Sequence, residues 1–245
     1  MVAPVAVLAG GLGTRMAGVV AEGMPKVLIP VAGRPFLDFK LASLAAQGVG
    51  RVVLLLGHGA ERVAEHLAGL PDGDRPHGME VEIVLDGPPG GPLLGTGGAV
   101  RRALPHLGDR FWVTHGDTYL RAPLAEAEAA YAQRPGCAGL MTVFENADRW
   151  DRSNVRVEDG LVAEYRKGAP AGTFGHIDYG LLLLEASVFE TRPPGQPFDL
   201  AEVLAQLVAE RRLAAFEVAE RFYEVGSPDG YREAEAFLSS PAVGA

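Results

Sequence analysis

A single cysteine, Cys137, is all the thiol chemistry in the 245-residue chain, so intramolecular disulfides and thiolate-bound zinc are excluded. No apolar run approaches the ~18 residues of a membrane span. The opening Val5-Ala6-Val7-Leu8-Ala9-Gly10 has no basic segment before it and is too short for a signal peptide. No stripe of Lys and Arg is present: 22 basic residues face 31 acidic ones, a net charge of −9, which argues against a protein that grips nucleic-acid backbones. The six histidines show no ligand spacing, and His58, His115 and His176 fall at strand edges. There is no Gly-x-Ser-x-Gly elbow, and Cys137 lies in a Pro-Gly turn without a basic neighbour, so covalent catalysis is disfavoured. Repeats, low-complexity tracts and Ser/Gly linkers are missing too. What remains is a soluble, cytoplasmic chain with no membrane or nucleic-acid partner. At this length it can bury about 70% of its unfolded surface without a staple.

Glycine is plentiful, with 32 residues, and hydrophobic residues make up 48%. They fall into alternating strand and helix patterns. Val5–Ala9, Arg51–Leu56, Glu80–Leu85 and Phe111–Thr114 read as strands, and Pro35–Gln47, Glu61–Leu70 and Ala99–Leu107 as helices. Strand–helix–strand units of this length build a parallel sheet with right-handed crossovers. Later the strands Ala138–Phe144, Asn154–Val157, Leu161–Tyr165 and Tyr179–Leu184 follow one another through turns, so the second half is mixed or antiparallel. A helix over Leu200–Arg211 capped by Asp199, a short strand Phe222–Val225, and a last helix opened by Ser227-Pro228 complete the chain. One α/β domain is expected, Rossmann-like and three-layered, with residues 1–120 binding nucleotide and 121–245 binding sugar; no further domain is expected after the last helix.

The segment Leu8-Ala9-Gly10-Gly11-Leu12-Gly13-Thr14-Arg15-Met16 follows the first strand. Glycines there let backbone N–H groups approach a phosphate. The spacing fits neither a dinucleotide fingerprint, since position 16 is Met, nor a P-loop. By itself the segment reads equally well as a tight turn. Met24-Pro25-Lys26 follows, and Lys26 supplies a compact charge suited to a triphosphate. Asp117, in His115-Gly116-Asp117, ends an apolar strand at the edge where open α/β sheets bind ligands. A carboxylate beside phosphates suits Mg²⁺, the reading favoured here next to the glycine segment, while Gly-Asp-Thr is also good turn chemistry.

Gly-Gly-x-Gly-Thr-Arg with a downstream Pro-Lys, running from Gly10 to Lys26, resembles the signature of the sugar-1-phosphate nucleotidyltransferases. His176-Ile177-Asp178-Tyr179-Gly180 and Phe222–Pro228 are similar to the heptose-1-phosphate guanylyltransferases, and the overall size to the N-acetylmuramate-1-phosphate uridylyltransferases. The resemblance implies a GT-A-type fold and Mg²⁺-dependent transfer of a nucleoside monophosphate from an NTP to a sugar 1-phosphate. It implies nucleotide contacts from Leu8, Ala9, Gly10, Gly11, Gly13, Thr14, Gly95, Thr96 and Gly97. Arg15, Lys26 and Asp117 would be catalytic, with Asp117 and Glu224 holding the metal. The family has Asp where Glu224 stands, so a metal contact there must accommodate one more methylene. Glu164, Lys167 and Asp178 would meet the sugar and its phosphate; Glu164-Tyr165-Arg166-Lys167 does not reproduce the family's adjacent Glu-Lys. Other readings of these residues are transfer to phosphocholine or a molybdopterin, a GT-A glycosyltransferase, and a nucleotide-sugar sensor. Asp117-Thr118-Tyr119 lacks the Asp-x-Asp of the glycosyltransferases. The base, the sugar and the oligomeric state stay open.

Overall fold

The computed structural model describes residues 2–11, 23–70, 78–87 and 91–240. A nine-stranded mixed sheet runs in the order β5-β4-β1-β6-β11-β8-β12-β10-β9. Its first part consists of β1 (Val5–Leu8), β4 (Arg51–Leu56), β5 (Glu80–Leu85) and β6 (Arg110–His115), all parallel. The small strands β2 (Pro30–Val31) and β3 (Arg34–Pro35) pair as a separate ribbon. A second ribbon joins β7 (Thr118–Tyr119) to β13 (Tyr223–Glu224). The other half of the main sheet contains β8 (Gly139–Glu145), β9 (Val155–Glu158), β10 (Leu161–Tyr165), β11 (His176–Glu185) and β12 (Leu213–Val218). Pairing there is antiparallel except between β12 and β8.

Side chains alternate across the sheet and divide the core into two layers. On β1, Val5 and Val7 face α1 (Phe36–Ala46), α2 (Ala60–Gly69) and α4 (Leu124–Ala132), while Ala6 faces α3 (Gly95–Leu107) and α5 (Leu200–Ala209). On β6, Trp112 packs on the first side, and Phe111 and Val113 on the second. Trp112 has no exposed surface, and its indole N–H donates to Glu128 Oε1 at 2.8 Å. The result is helix–sheet–helix, three layers, as the sequence pattern predicts. A satellite core under α6 (Pro228–Leu238) joins Ile29, Phe36, Tyr119 and Val225.

Both caps predicted from sequence form. Asp199 and Glu202 make a capping box on α5, and Ser227 Oγ accepts from Gly230 N with Pro228 in the first turn of α6. Four of the longer elements differ from expectation. Helix α3 begins at Gly95, four residues early, because tertiary packing overrides the low helix propensity of its glycines. Helix α5 ends at Ala209, and Arg211 adopts φ +55°, which turns the chain into β12. Helix α4 and strand β12 stand where no regular element was predicted.

Candidate functional site

The carboxyl ends of β1, β4 and β6 open onto a cleft of about 260 Å³. Leu8, Ala9, Gly10 and Gly11 form one side, Gly95 and Thr96 another, and His115, Gly116 and Asp117 the floor. Main-chain bonds from Ala9 N to Leu55 O at 2.9 Å and from Gly116 N to Leu8 O at 2.8 Å hold the strand ends together. Gly116 has to lack a side chain: a methyl group there would stand 2.7 Å from Val27 Cγ1 and 2.9 Å from Ala9 Cβ. A larger cleft of about 800 Å³ lies on the other side of His115 and Asp117, which line both. It contains Asp178, Tyr165, Lys167, Trp150, Arg221 and Glu224.

Where the clefts meet, three charged groups converge. Lys26 Nζ pairs with Asp117 Oδ2 at 3.0 Å. The ribbon bond from Val225 N to Asp117 O, 2.9 Å, and the pairing of Glu224 with Thr118 bring Glu224 alongside. A methyl group on Gly226 would stand 2.7 Å from Glu224 Oε2, 3.2 Å from Asp117 Oδ2 and 3.4 Å from Lys26 Nζ. Glu224 uses its extra methylene to fold back: Oε2 accepts from Gly226 N at 2.5 Å, and Oε1 accepts from the Ser227 hydroxyl. Burial pushes the Asp117 carboxyl up, but the Lys26 ammonium and His115 outweigh it, and the group is held below the ordinary carboxylate range. Two hard carboxylates facing one point are donors suited to a divalent cation whose remaining ligands are phosphate oxygens and water.

Beneath this junction lies a residue that the sequence did not single out. Lys40 of α1 is 4% exposed, and donates to Thr118 O at 2.8 Å and Thr114 Oγ1 at 3.3 Å. It clamps the turn that displays Asp117. Burial lowers its pKa from 10.5 to about 7 against the opposing pull of Asp117. Asp86 was also missed. It lines the smaller cleft, accepts from Leu94 N at 2.9 Å through Oδ1, and has its pKa raised by burial.

In the larger cleft, Asp178 sits on a bulge of β11, where the register against β8 shifts and Gly180 takes φ +86°. Its Oδ1 accepts from Gly180 N at 2.9 Å and its carboxylate accepts from the Tyr165 hydroxyl. Burial raises its pKa, and the hydrogen bonds, His115 and Lys167 only partly oppose that. Lys167 lies 4.0 Å from Asp199 Oδ1.

Two expectations need correction. Glu164 does not line the cleft: it pairs with Arg156 at 3.0 Å and Arg166 at 3.6 Å, and its neighbour Tyr165 faces inward instead. Gly97 does not line the smaller cleft either. Its N–H donates to Phe198 O at 3.0 Å, and a methyl group there would run into the Phe198 ring. The Thr96 hydroxyl likewise bonds Asp199 Oδ1 at 3.1 Å and accepts from Leu200 N at 2.9 Å. Gly95, Gly97 and Thr96 thus seat α3 against α5, and only Gly95 and Thr96 also border the cleft. Gly13, Thr14 and Arg15 lie outside the described residues.

Among known proteins, the chain is 26% identical to the D-glycero-alpha-D-manno-heptose 1-phosphate guanylyltransferase of Campylobacter jejuni over 92% of this chain and 95% of the relative. It is also 26% identical to the enzyme of the same name from Aneurinibacillus thermoaerophilus, over 95% and 96%. The crystal structure of HddC from Yersinia pseudotuberculosis superposes with a TM-score of 0.76 at 25% identity, covering 96% of this chain and 99% of HddC. Residues 5–221 match the model of the MobA-like NTP transferase domain, and the chain belongs to that family of nucleotidyltransferases.

Proposed function

We propose that the protein transfers GMP from GTP to a heptose 1-phosphate, or a closely related sugar 1-phosphate, and releases pyrophosphate. The observation that carries this reading is the convergence of Lys26, Asp117 and Glu224 where the two clefts meet. A nucleotide in the smaller cleft and a sugar phosphate in the larger would bring their reacting phosphates together there. An oxygen of the sugar phosphate attacks the α-phosphorus in line, a new P–O bond forms, and the bond to the β-phosphate oxygen breaks. The attacking group belongs to the substrate, so the protein's work is positioning and neutralising charge.

Lys26 stabilises negative charge on the α-phosphoryl group. Asp117 and Glu224 hold a divalent cation, Mg²⁺ by the hardness of their oxygens, which when bound screens the phosphate oxygens. Backbone amides at Gly10 and Gly11 hold the β- and γ-phosphates, and the part given to Gly13, Thr14 and Arg15 rests on the sequence motif alone. Asp86 favours guanine over uracil or thymine, because guanine offers N1–H and N2–H donors to one carboxylate and the pyrimidines flank one donor with two acceptors. Tyr165 keeps Asp178 oriented towards sugar hydroxyls, and Lys167 meets the sugar's phosphate. In this reading residues 1–120 and 121–245 form the nucleotide and sugar halves of one domain. The names of the two full-length relatives support the choice of guanine and heptose.

The test is pyrophosphate release with each of four NTPs against D-glycero-alpha-D-manno-heptose 1-phosphate, mannose 1-phosphate and glucose 1-phosphate. GTP with the heptose phosphate should give the highest kcat/KM. Release with phosphocholine but with no sugar phosphate would overturn the reading.

A further inference from the structure

Trp150 is 44% exposed, and only it and Leu85 are exposed among the large apolar side chains of the described residues. It stands at the rim of the larger cleft, on the connection between β8 and β9. That connection is tied from inside. Asn146 and Ser153 are 0% and 1% exposed, and Asn146 Nδ2 donates to Ser153 Oγ at 3.1 Å and to Asp151 O at 2.6 Å. Asn146 Oδ1 accepts from the backbone N–H of Trp150 itself at 3.1 Å. Asp148 accepts from Ser153 N and Gly172 N, each at 2.7 Å. Ala147 and Asp148 take φ of +47° and +58°, a conformation that L-residues adopt against their preference and that the surrounding bonds enforce. A fully bonded buried polar knot specifies one loop conformation. Here it holds an indole out in water.

The indole is also fixed laterally. The Arg221 guanidinium lies over its ring, 3.5 Å from the centroid, and over the Tyr223 ring at 4.6 Å. Glu233 pairs with the same guanidinium. One wall of the cleft is therefore a rigid aromatic and cationic stack, and the buried Asp178 carboxylate lines the same cleft.

We propose that Trp150 is the platform on which the C–H face of the acceptor's sugar ring packs, with Arg221 setting the plane of the indole. The inference rests on the sugar-phosphate transferase reading given above. A pyranose carries hydroxyls around its rim and an apolar C–H face, and an indole offers a flat, electron-rich surface to that face. Hydroxyls on the other edge reach Asp178. Inorganic phosphate has no such face and gains nothing from Trp150. The residue acts on acceptor binding and takes no part in nucleotide binding.

The chain has only two tryptophans, and Trp112 is fully buried, so quenching by iodide reports on Trp150. With the full chain, D-glycero-alpha-D-manno-heptose 1-phosphate should cut iodide quenching at least two-fold, and inorganic phosphate should leave it unchanged. Trp150→Phe should lose the quenchable signal. Trp150→Ala should raise the acceptor KM about ten-fold, equivalent to about 1.4 kcal/mol, with the GTP KM and kcat within two-fold, and Trp150→Phe should restore most of the affinity. A sugar phosphate that turns over yet leaves quenching and the Trp150→Ala acceptor KM unchanged would overturn the proposal. So would an equal rise in both KM values, which marks a loop that merely props up the fold. Absence of turnover with every sugar 1-phosphate would overturn the underlying transferase reading, and this inference with it.

Discussion

Replacing Lys40 by Met should make the protein more stable and the enzyme worse. Lys40 is sealed under the His115–Thr118 turn, and its pKa falls from 10.5 to about 7. That difference, at about 1.36 kcal/mol per unit, means the folded state loses about 5 kcal/mol by holding the charge. Below pH 7 the lysine is protonated in both folded and unfolded chains, and the whole penalty is present. Between pH 7 and 10.5 the unfolded chain binds more protons, so stability contributed by this group rises with pH until the penalty is gone. Methionine fills similar space without charge, but it leaves Thr118 O and Thr114 Oγ1 without their donor, a loss of about 1–3 kcal/mol. The net gain at pH 6 is then about 2–4 kcal/mol, or roughly 4–16 °C in Tm for a chain of this size. By pH 10 the gain should vanish or reverse. Melts of both proteins at pH 6, 8 and 10 give the difference directly, and other titrating groups cancel in it. A pH-independent difference, or a variant less stable at pH 6, would refute the burial argument. Turnover should fall in the same variant, because the clamp on the Asp117 turn is gone.

Lys26→Ala should lower kcat/KM by about two orders of magnitude, the scale of one preorganised electrostatic group, in a variant that folds but melts lower because Asp117 loses its partner; an unchanged rate would remove Lys26 from the site. Asp117→Asn should abolish turnover across a titration of divalent metal, and Glu224→Gln should be milder, since Glu224 is already held by Gly226 and Ser227. The reverse ranking would exchange their roles. Gly226→Ala should leave folding intact, its φ not being positive among the residues described, yet abolish turnover by filling the point shared by Lys26, Asp117 and Glu224; normal activity would mean that nothing binds there. Asp86→Asn should cut the preference for GTP over UTP about ten-fold or more, read from paired kcat/KM values.

Much of the frame was legible because it rests on periodicity and caps. Apolar runs locate the parallel strands, and Asp199 and Ser227 mark helix starts through their own side-chain bonds. Asp117 is legible for a related reason, since it follows an apolar strand whose place in an α/β sheet is fixed, whereas Lys26 is read from the Pro-Lys pair downstream of the glycine segment. Lys40 was hidden because a lysine within a helix ordinarily faces water, and only the tertiary clamp reveals otherwise. Glu164 and Tyr165 exchanged places for a local reason. The pairing of β10 with β9 shifts between Val162 and Glu164, and one slipped residue reverses which side chain faces the cleft. Strand β12 went unread because the left-handed turn that follows α5 is made by Arg211, where a glycine would have signalled the change of direction.

A protein with net charge −9 that handles a triphosphate has to solve the repulsion locally. At physiological ionic strength exposed charges beyond about 8 Å are largely screened, so the distant carboxylates contribute little at the cleft. What matters is the junction, where Lys26 and Asp117 already neutralise each other at 3.0 Å with side chains 15% and 23% exposed. On the proposed reading, substrate would enter as an exchange of partners: its phosphate would take Lys26 and an accompanying divalent cation would take Asp117. No bare charge then has to be buried, because each group passes from one opposite charge to another. Glu224 fits the same logic, since its carboxylate is held by Gly226 and Ser227 at the start of α6, where a helix N-terminus offsets negative charge. The same economy explains why Lys40 lies where it does. In its protonated form, a lysine under the Asp117 turn limits the negative potential there when the cleft is empty, and the cost of burying that charge is borne by the rest of the fold.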